Sequence, residues 1–164
     1  AQAMKDGWIV VSTNADVIVR PNGDMGQTAY AAKDLTKGTT LFETTERGLY
    51  CPFPTMYTIC VGEGRHLLFG DAAECIAHSC NPNVHVIVRD DETLEFRTCQ
   101  DVPQDGMLSF CYNTTEWDMN STFPCLCGAE NCTKYIRGFK YLADPDRQFL
   151  WPLTSSYIRM MVEQ

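Results

Sequence analysis

The chain has 164 residues, 45% of them apolar, and a formal net charge of −8, from 13 Lys and Arg against 21 Asp and Glu. That length supplies one hydrophobic core and predicts one domain. Its few cations are scattered, which argues against nucleic acid as a direct partner, and no apolar run reaches the ~18 residues that a membrane span requires.

The opening "AQAMKDGWIVV" has no basic region followed by an apolar stretch and a small-residue cleavage site. It is expected to be an ordinary start or an added remnant, not a targeting signal. Strands are predicted at "WIVVST" (8–13), "ADVIVR" (15–20), "QTAYAA" (27–32) and "TTLFETTE" (39–46), the last two flanking the turn-like "DLTKGT". "MYTICVG" (56–62) follows the Pro-containing "CPFP" as another strand. "VHVIVRD" (84–90) and "TLEFRTCQ" (93–100) alternate apolar and polar residues about the acidic turn Asp90-Asp91-Glu92 and predict a hairpin. A last strand, "LSFCYN" (108–113), precedes a cysteine-rich segment. Many short strands with Gly and Pro punctuation predict a compact, mainly β, largely antiparallel fold.

The tail differs. Asp144-Pro145 has the form of a helix start. Leu153, Tyr157 and Met161 recur every four residues with Ile158 and Val162 beside them. This predicts one terminal helix facing the core.

The nine cysteines are an odd count, and three fall within eight residues, in "CLCGAENC". This pattern fits a reducing interior and a metal better than a secreted disulfide framework. Asn-x-Ser/Thr triplets at Asn113, Asn120 and Asn131 point the other way, but such triplets arise easily by chance. An intracellular protein is expected. Cys125, Cys127 and Cys132 converge on one ion only in a tight loop, for which Gly128 supplies backbone freedom. Zinc takes four N or S ligands in a closed structural site, so a fourth must come from elsewhere in the chain. Cys80 and His78 are the first choices, with Cys99 and Cys111 behind them. His66 and His85 read as structural.

"AHSCNPNV", "DGMLSFCYN" and "CLCGAENC" occur in the order and approximate spacing of a SET domain followed by a post-SET segment. The patterns they resemble are R-F-x-N-H-S-C-x-P-N, G-E-E-L-T-x-D-Y and C-x-C-x4-C. Upstream, "GQTAYAAKDLTKGTTLFE" is similar to the family's G-x-G-x-F-A segment. The likeness spans 26–132, and "YNTTEWDM" and "CTKYIRGFKYL" also resemble small stand-alone SET proteins of fungi and bacteria. It implies a β-rich α+β fold, with a SET domain over 8–113, a zinc-clipped post-SET segment over 114–142, and a helical tail over 143–164 on the same domain.

The resemblance further implies that Cys80 completes a structural zinc site with Cys125, Cys127 and Cys132. It implies methyl transfer from S-adenosylmethionine to a lysine ε-amine of a protein or peptide, with Tyr112 orienting the amine. Gly26, Gln27, Thr28, Ala77 and His78 fall at cofactor positions. Phe42, Phe110, Trp117 and Phe123 are expected to line the substrate cleft beside Tyr112.

Four positions depart from the family's patterns. Ala77 stands for asparagine, Thr28 for the second glycine, Glu74 for arginine, and Cys111 for the aspartate beside the tyrosine. Thr28 is expected to crowd the backbone approach to a cofactor and to strain any unusual φ. Ala77 removes an amide from near the cofactor's charged end. These changes keep two alternatives open. One is a cofactor-independent enzyme that cyclises or isomerises a small apolar metabolite, and the other is a silent peptide-binding module.

Overall fold

The structure is a computed structural model that describes residues 2–5, 8–12, 14–44, 49–68 and 71–164. In chain order the strands are β1 (Gln2–Lys5), β2 (Trp8–Ser12), β3 (Val17–Pro21), β4 (Gln27–Ala31) and β5 (Thr40–Glu43). Then come β6 (Leu49–Cys51), β7 (Thr58–Gly62), β8 (Arg65–Leu68), β9 (Ala77–His78) and β10 (Val84–Val88). The last are β11 (Leu94–Thr98), β12 (Ser109–Phe110), β13 (Phe123–Pro124) and β14 (Tyr135–Ile136), followed by helices α1 (Asp144–Leu150) and α2 (Ser156–Val162).

Three antiparallel sheets carry the fold, ordered β1-β2-β3-β4, β10-β11-β5 and β6-β8-β7. Strands β3 and β4 pair from Val17↔Ala31 to Pro21↔Gln27. Gly26 closes the turn between them at φ +71°, a conformation that glycine adopts without steric cost. The predicted hairpin forms as β10 and β11, with Val84 opposite Thr98 and Val88 opposite Leu94. Its alternation buries Val84 and Val86 on one side, and the acidic turn closes with Glu92 at φ +64°. β5 joins this pair through Phe42↔Phe96 and ends at Glu43. The rest of the predicted strand to 46 runs into 45–48, outside the described residues, as does Thr13 of "WIVVST".

The main core gathers Val17, Val19, Ala29, Ala31, Leu41, Ile76, Val84, Val86, Leu94, Phe96, Leu108 and Phe110. Each large aliphatic or aromatic side chain buried here contributes about 1.5–3 kcal/mol. Threaded through this core is a two-stranded parallel pair, β9 with β12, which sets Ala77 opposite Ser109 and His78 opposite Phe110. "LSFCYN" is therefore a strand for two residues only. It turns at Tyr112–Thr114 into a 3-10 helix, and the Thr114 hydroxyl donates back to the Cys111 carbonyl at 2.7 Å.

The single terminal helix expected from the sequence is two. α1 ends at Leu150, a 3-10 turn spans Trp151–Leu153, and α2 begins at Ser156. Pro152 is the reason, since it has no N–H to continue the ladder and its ring crowds the preceding turn. Ser155 then caps α2 by accepting the Ile158 N–H. Leu153 lies outside α2, and the fully buried residue of that helix is Ile158. Leu150 and Ile158 pack on Phe139 and Cys111, with Trp117 and Trp151 beside them, as a second apolar cluster.

The chain returns to this cluster through Gly138, at φ +124°. A Cβ there would stand 2.3 Å from the Trp117 carbonyl oxygen, and the Gly138 N–H donates to the buried Asn113 side chain at 3.0 Å. Asn113, one of the three glycosylation-like triplets, is thus an internal acceptor and not a surface residue. Gly138→Ala is expected to lower stability by about 2–3 kcal/mol, read as a lower thermal midpoint. An unchanged midpoint would mean that this return is not clamped against Trp117.

Candidate functional site

Cys125, Cys127 and Cys132 lie in the loop between β13 and β14. The loop reverses with Gly128 at φ +75° and Lys134 at φ +70°. The Cys125 N–H donates to the Lys134 carbonyl at 2.8 Å, and the Cys132 N–H to the Ala129 carbonyl at 3.1 Å. Cys80, just after β9, is the fourth member, held by the Asn131 amide donating to its carbonyl at 3.0 Å.

All four sulfurs lie within 4.8 Å of one another, and Cys80 and Cys125 are 3.9 Å apart. Four thiolates at 2.3 Å from a tetrahedral zinc stand ~3.8 Å apart, so the donor set and its spacing fit that ion with a small contraction. Cys99 is elsewhere, donating its thiol to the Pro82 carbonyl at 3.4 Å, and Cys111 is in the second apolar cluster. His78 is beside the sulfurs but outside the four.

Tyr112 sits where the main core meets the sulfur cluster and packs on both. Its ring meets His78 at 5.1 Å, Phe110 at 4.8 Å and Phe123 at 5.9 Å between centroids. The phenol donates to the Ile76 carbonyl at 3.3 Å. Burial pushes its pKa up to about 12, with nearby Tyr57 adding to the shift, so the phenol keeps its proton. Burial likewise takes His78 down to about 4, leaving a neutral imidazole.

Of the four expected cleft aromatics, Phe110 and Phe123 stand with Tyr112. Phe42 instead packs edge-on against Phe96 at 6.0 Å, and Trp117 stacks on Phe139 at 6.4 Å in the C-terminal cluster. Tyr57, half exposed, was not singled out in the sequence. Its separation of 55 residues from Tyr112 leaves no local signal. Gly26 and Gln27 stand at the turn into β4. Thr28 is buried in regular extended backbone opposite Arg20, and its φ is not among the left-handed values, so the strain expected at that position is absent. Ala77 is 9% exposed. Its N–H bonds the Leu108 carbonyl at 3.2 Å, and that of Ser79 bonds the Phe110 carbonyl at 3.1 Å. Alternation along the strand therefore turns the N–H and C=O of His78 to the opposite edge.

Glu116 follows Tyr112 by one turn. Its carboxylate accepts the Thr115 hydroxyl at 2.6 Å and the Cys60 N–H of β7 at 3.3 Å. Burial outweighs both bonds and pushes its pKa up to about 7.

Residues 54–113 match the family model described as SET domain. The methyltransferase flvH of Aspergillus flavus is 35% identical over 101 residues, 60% of this chain and 54% of that protein. A histone-lysine N-methyltransferase, H3 lysine-36 specific, of Debaryomyces hansenii is 31% identical over 72 residues, 42% of this chain and 10% of that one. The chain thus spans about half or less of these curated relatives. The crystal structure of KRYPTONITE in complex with mCHG DNA and SAH superposes with a TM-score of 0.58 at 18% identity, covering 70% of this chain and 27% of that chain. Together with the β-rich architecture, these findings define a SET fold. The chain thus has the SET fold, carries the SET-domain match over residues 54–113, and adds a four-cysteine cluster consistent with zinc.

Two outcomes are expected here. The purified protein should carry about one zinc per chain by elemental analysis. Cys127→Ser should lose it and Cys99→Ser should keep it; equal metal in all three proteins would dissolve the assignment. Second, a carboxyl whose pKa is higher folded than unfolded costs stability as pH rises from about 4.3 to about 7. Glu116→Gln should therefore gain stability relative to the parent across that window in urea unfolding. Parallel pH profiles would show that Glu116 titrates as an ordinary carboxyl.

Proposed function

We propose that this chain is an intracellular methyltransferase that uses S-adenosylmethionine to methylate a lysine ε-amine of a protein or peptide. The observation that carries this reading is the β9–β12 pair. It sets the outer backbone edge of His78, for which no backbone partner appears among the described residues, and the buried Tyr112 phenol on neighbouring segments, beside the sulfur cluster. Cys80, Cys125, Cys127 and Cys132 would hold zinc in a closed structural role. When bound, S-adenosylmethionine supplies the methyl group.

This chain's residues would do the rest. The outer backbone edge at His78 suits the rim of an adenine ring, and the space beside Gly26, open among the described residues, leaves room for close approach of a ligand to the backbone. Phe110 and Phe123 would wall the amine from water. A lysine ammonium, with an ordinary pKa of about 10.4, must shed a proton before it can attack. Desolvation by these aromatics favours the neutral amine. Tyr112, protonated throughout, would accept or donate a hydrogen bond that aims the nitrogen and would not serve as the base. The free state of all nine cysteines supports the intracellular setting. No helix among the described residues is long and apolar enough to cross a membrane. The packing of α1 and α2 on Phe139 and Cys111 supports reading 8–113, 114–142 and 143–164 as parts of one folded unit.

Ala77 favours the second reading, a cofactor-independent enzyme acting on a small apolar metabolite, because it removes an amide from the cofactor side. Calorimetric titration of the zinc-loaded protein with S-adenosylmethionine separates the two. Micromolar binding supports methyl transfer, and silence at millimolar cofactor sinks it. Tyr112→Phe should lower the methylation rate on the order of 100-fold with zinc content unchanged. An undiminished rate and product pattern would remove Tyr112 from its role.

A further inference from the structure

The His78 imidazole is engaged at both ends. Its Nδ1 accepts the Tyr112 backbone N–H at 3.1 Å. A ring nitrogen that accepts carries no proton, so the single proton of the neutral ring is on Nε2. Nε2 lies 3.5 Å from the Cys80 sulfur, where that proton can be donated to it. The ring is also fixed edge-on between Tyr112 and Phe123, whose centroids are 5.1 and 5.7 Å away. Phe123 begins the strand that leads to Cys125, so the imidazole touches both chain segments that supply sulfur, and the tyrosine as well.

A thiolate that binds a metal keeps lone pairs that take up hydrogen bonds, and donors outside the ligand set orient it and tune its basicity. Cys80 has a hydroxyl neighbour, Thr133 Oγ1, at 3.7 Å. The imidazole is closer than that hydroxyl, and among the described donors it is the one that reaches on to Tyr112.

We propose that His78 is a positioning residue whose imidazole ties the Cys80 sulfur of the metal cluster to the backbone of Tyr112, so that loading the cluster fixes where the tyrosine stands. This role belongs to the side chain and is separate from the backbone edge offered to a cofactor. It rests on the assignment of Tyr112 above.

Three variants of the full chain divide the two bonds. His78→Phe keeps the ring and its edge contacts and removes both bonds. His78→Asn places an acceptor at the Nδ1 position but has no group that reaches the sulfur. His78→Gln reaches the sulfur with a donor but leaves the Tyr112 N–H without its acceptor. With cobalt(II) in place of zinc, the sulfur-to-cobalt charge-transfer band reports on the Cys80 lone pairs, and loss of a donor moves it to longer wavelength. The band should shift in His78→Phe and His78→Asn and stay in place in His78→Gln. In the zinc-loaded proteins the Tyr112 amide proton should move upfield in His78→Phe and His78→Gln and hold in His78→Asn. The methylation rate should fall most in His78→Phe, with the KM for S-adenosylmethionine unchanged. A His78→Phe protein with full cobalt loading and the parent's band would overturn the link, as would an unmoved Tyr112 amide. If the parent transfers no methyl group, the methyltransferase reading fails, while the band and the amide still decide whether the link exists.

Discussion

Two residues of parallel strand hold the rest in place. β9 and β12 contribute few backbone hydrogen bonds, each worth only about 0.5–1.5 kcal/mol net, and a parallel pair this short has no stability of its own. It persists because of what flanks it. Ile76 and Leu108 are buried in the main core, and Cys80, two residues beyond His78, enters the sulfur cluster. One end of the pair is fixed by apolar burial and the other by convergence of thiols. Between the two anchors the chain has no freedom to slide, since a one-residue slip would turn His78 and Phe110 to the wrong face.

The sulfur cluster does for the loop between β13 and β14 what a core cannot. β13 and β14 pair over two residues each, and only Ile136 of the four is fully buried. That is too little apolar area to dock the loop against β9. A metal held by Cys80 on one side and three cysteines on the other would close the gap with ligand bonds in place of surface burial. The aromatic group of His78, Phe110, Tyr112 and Phe123 then fills the angle between loop and core.

Much of this was legible in the chain because the relevant signals are local. The C-x-C-x4-C spacing marks out three of the four clustered cysteines without knowledge of the fold, since a tight loop is the one arrangement that lets them converge. The hairpin of β10 and β11 shows in its alternation, where one buried face imposes a period of two. By contrast β6, β8, β9, β13 and β14 are two to four residues long, and pairing partners as distant as Ser109 for Ala77 define them more than propensity does. The tail misled for a specific reason. A four-residue apolar period ran from Leu153 to Met161, but Pro152 and the Ser155 cap reset the helix between them, and burial fell on Ile158. Phe42 and Trp117 carry the right chemistry for a cleft, yet sequence alone cannot choose between a cleft wall and a core neighbour such as Phe96 or Phe139.

The departures from the SET patterns have unequal physical weight once their surroundings are known. Thr28 takes a conformation open to any residue and buries its side chain, so it imposes no backbone strain. Cys111 is explained by the tail. It is 1% exposed among Phe139, Leu150 and Ile158, where burial pushes its thiol up to about 12. An aspartate there would sit as a buried charge against apolar side chains, at a cost of several kcal/mol, so a cysteine is what allows α1 and α2 to close over this strand. Ala77 has no such account. Its methyl group is buried and its N–H is committed to Leu108, so nothing at that position replaces the two donors and one acceptor of an asparagine amide. The backbone edge beside it, at His78, is intact. Of the changes weighed here, Ala77 is therefore the one that bears directly on whether a charged cofactor is held.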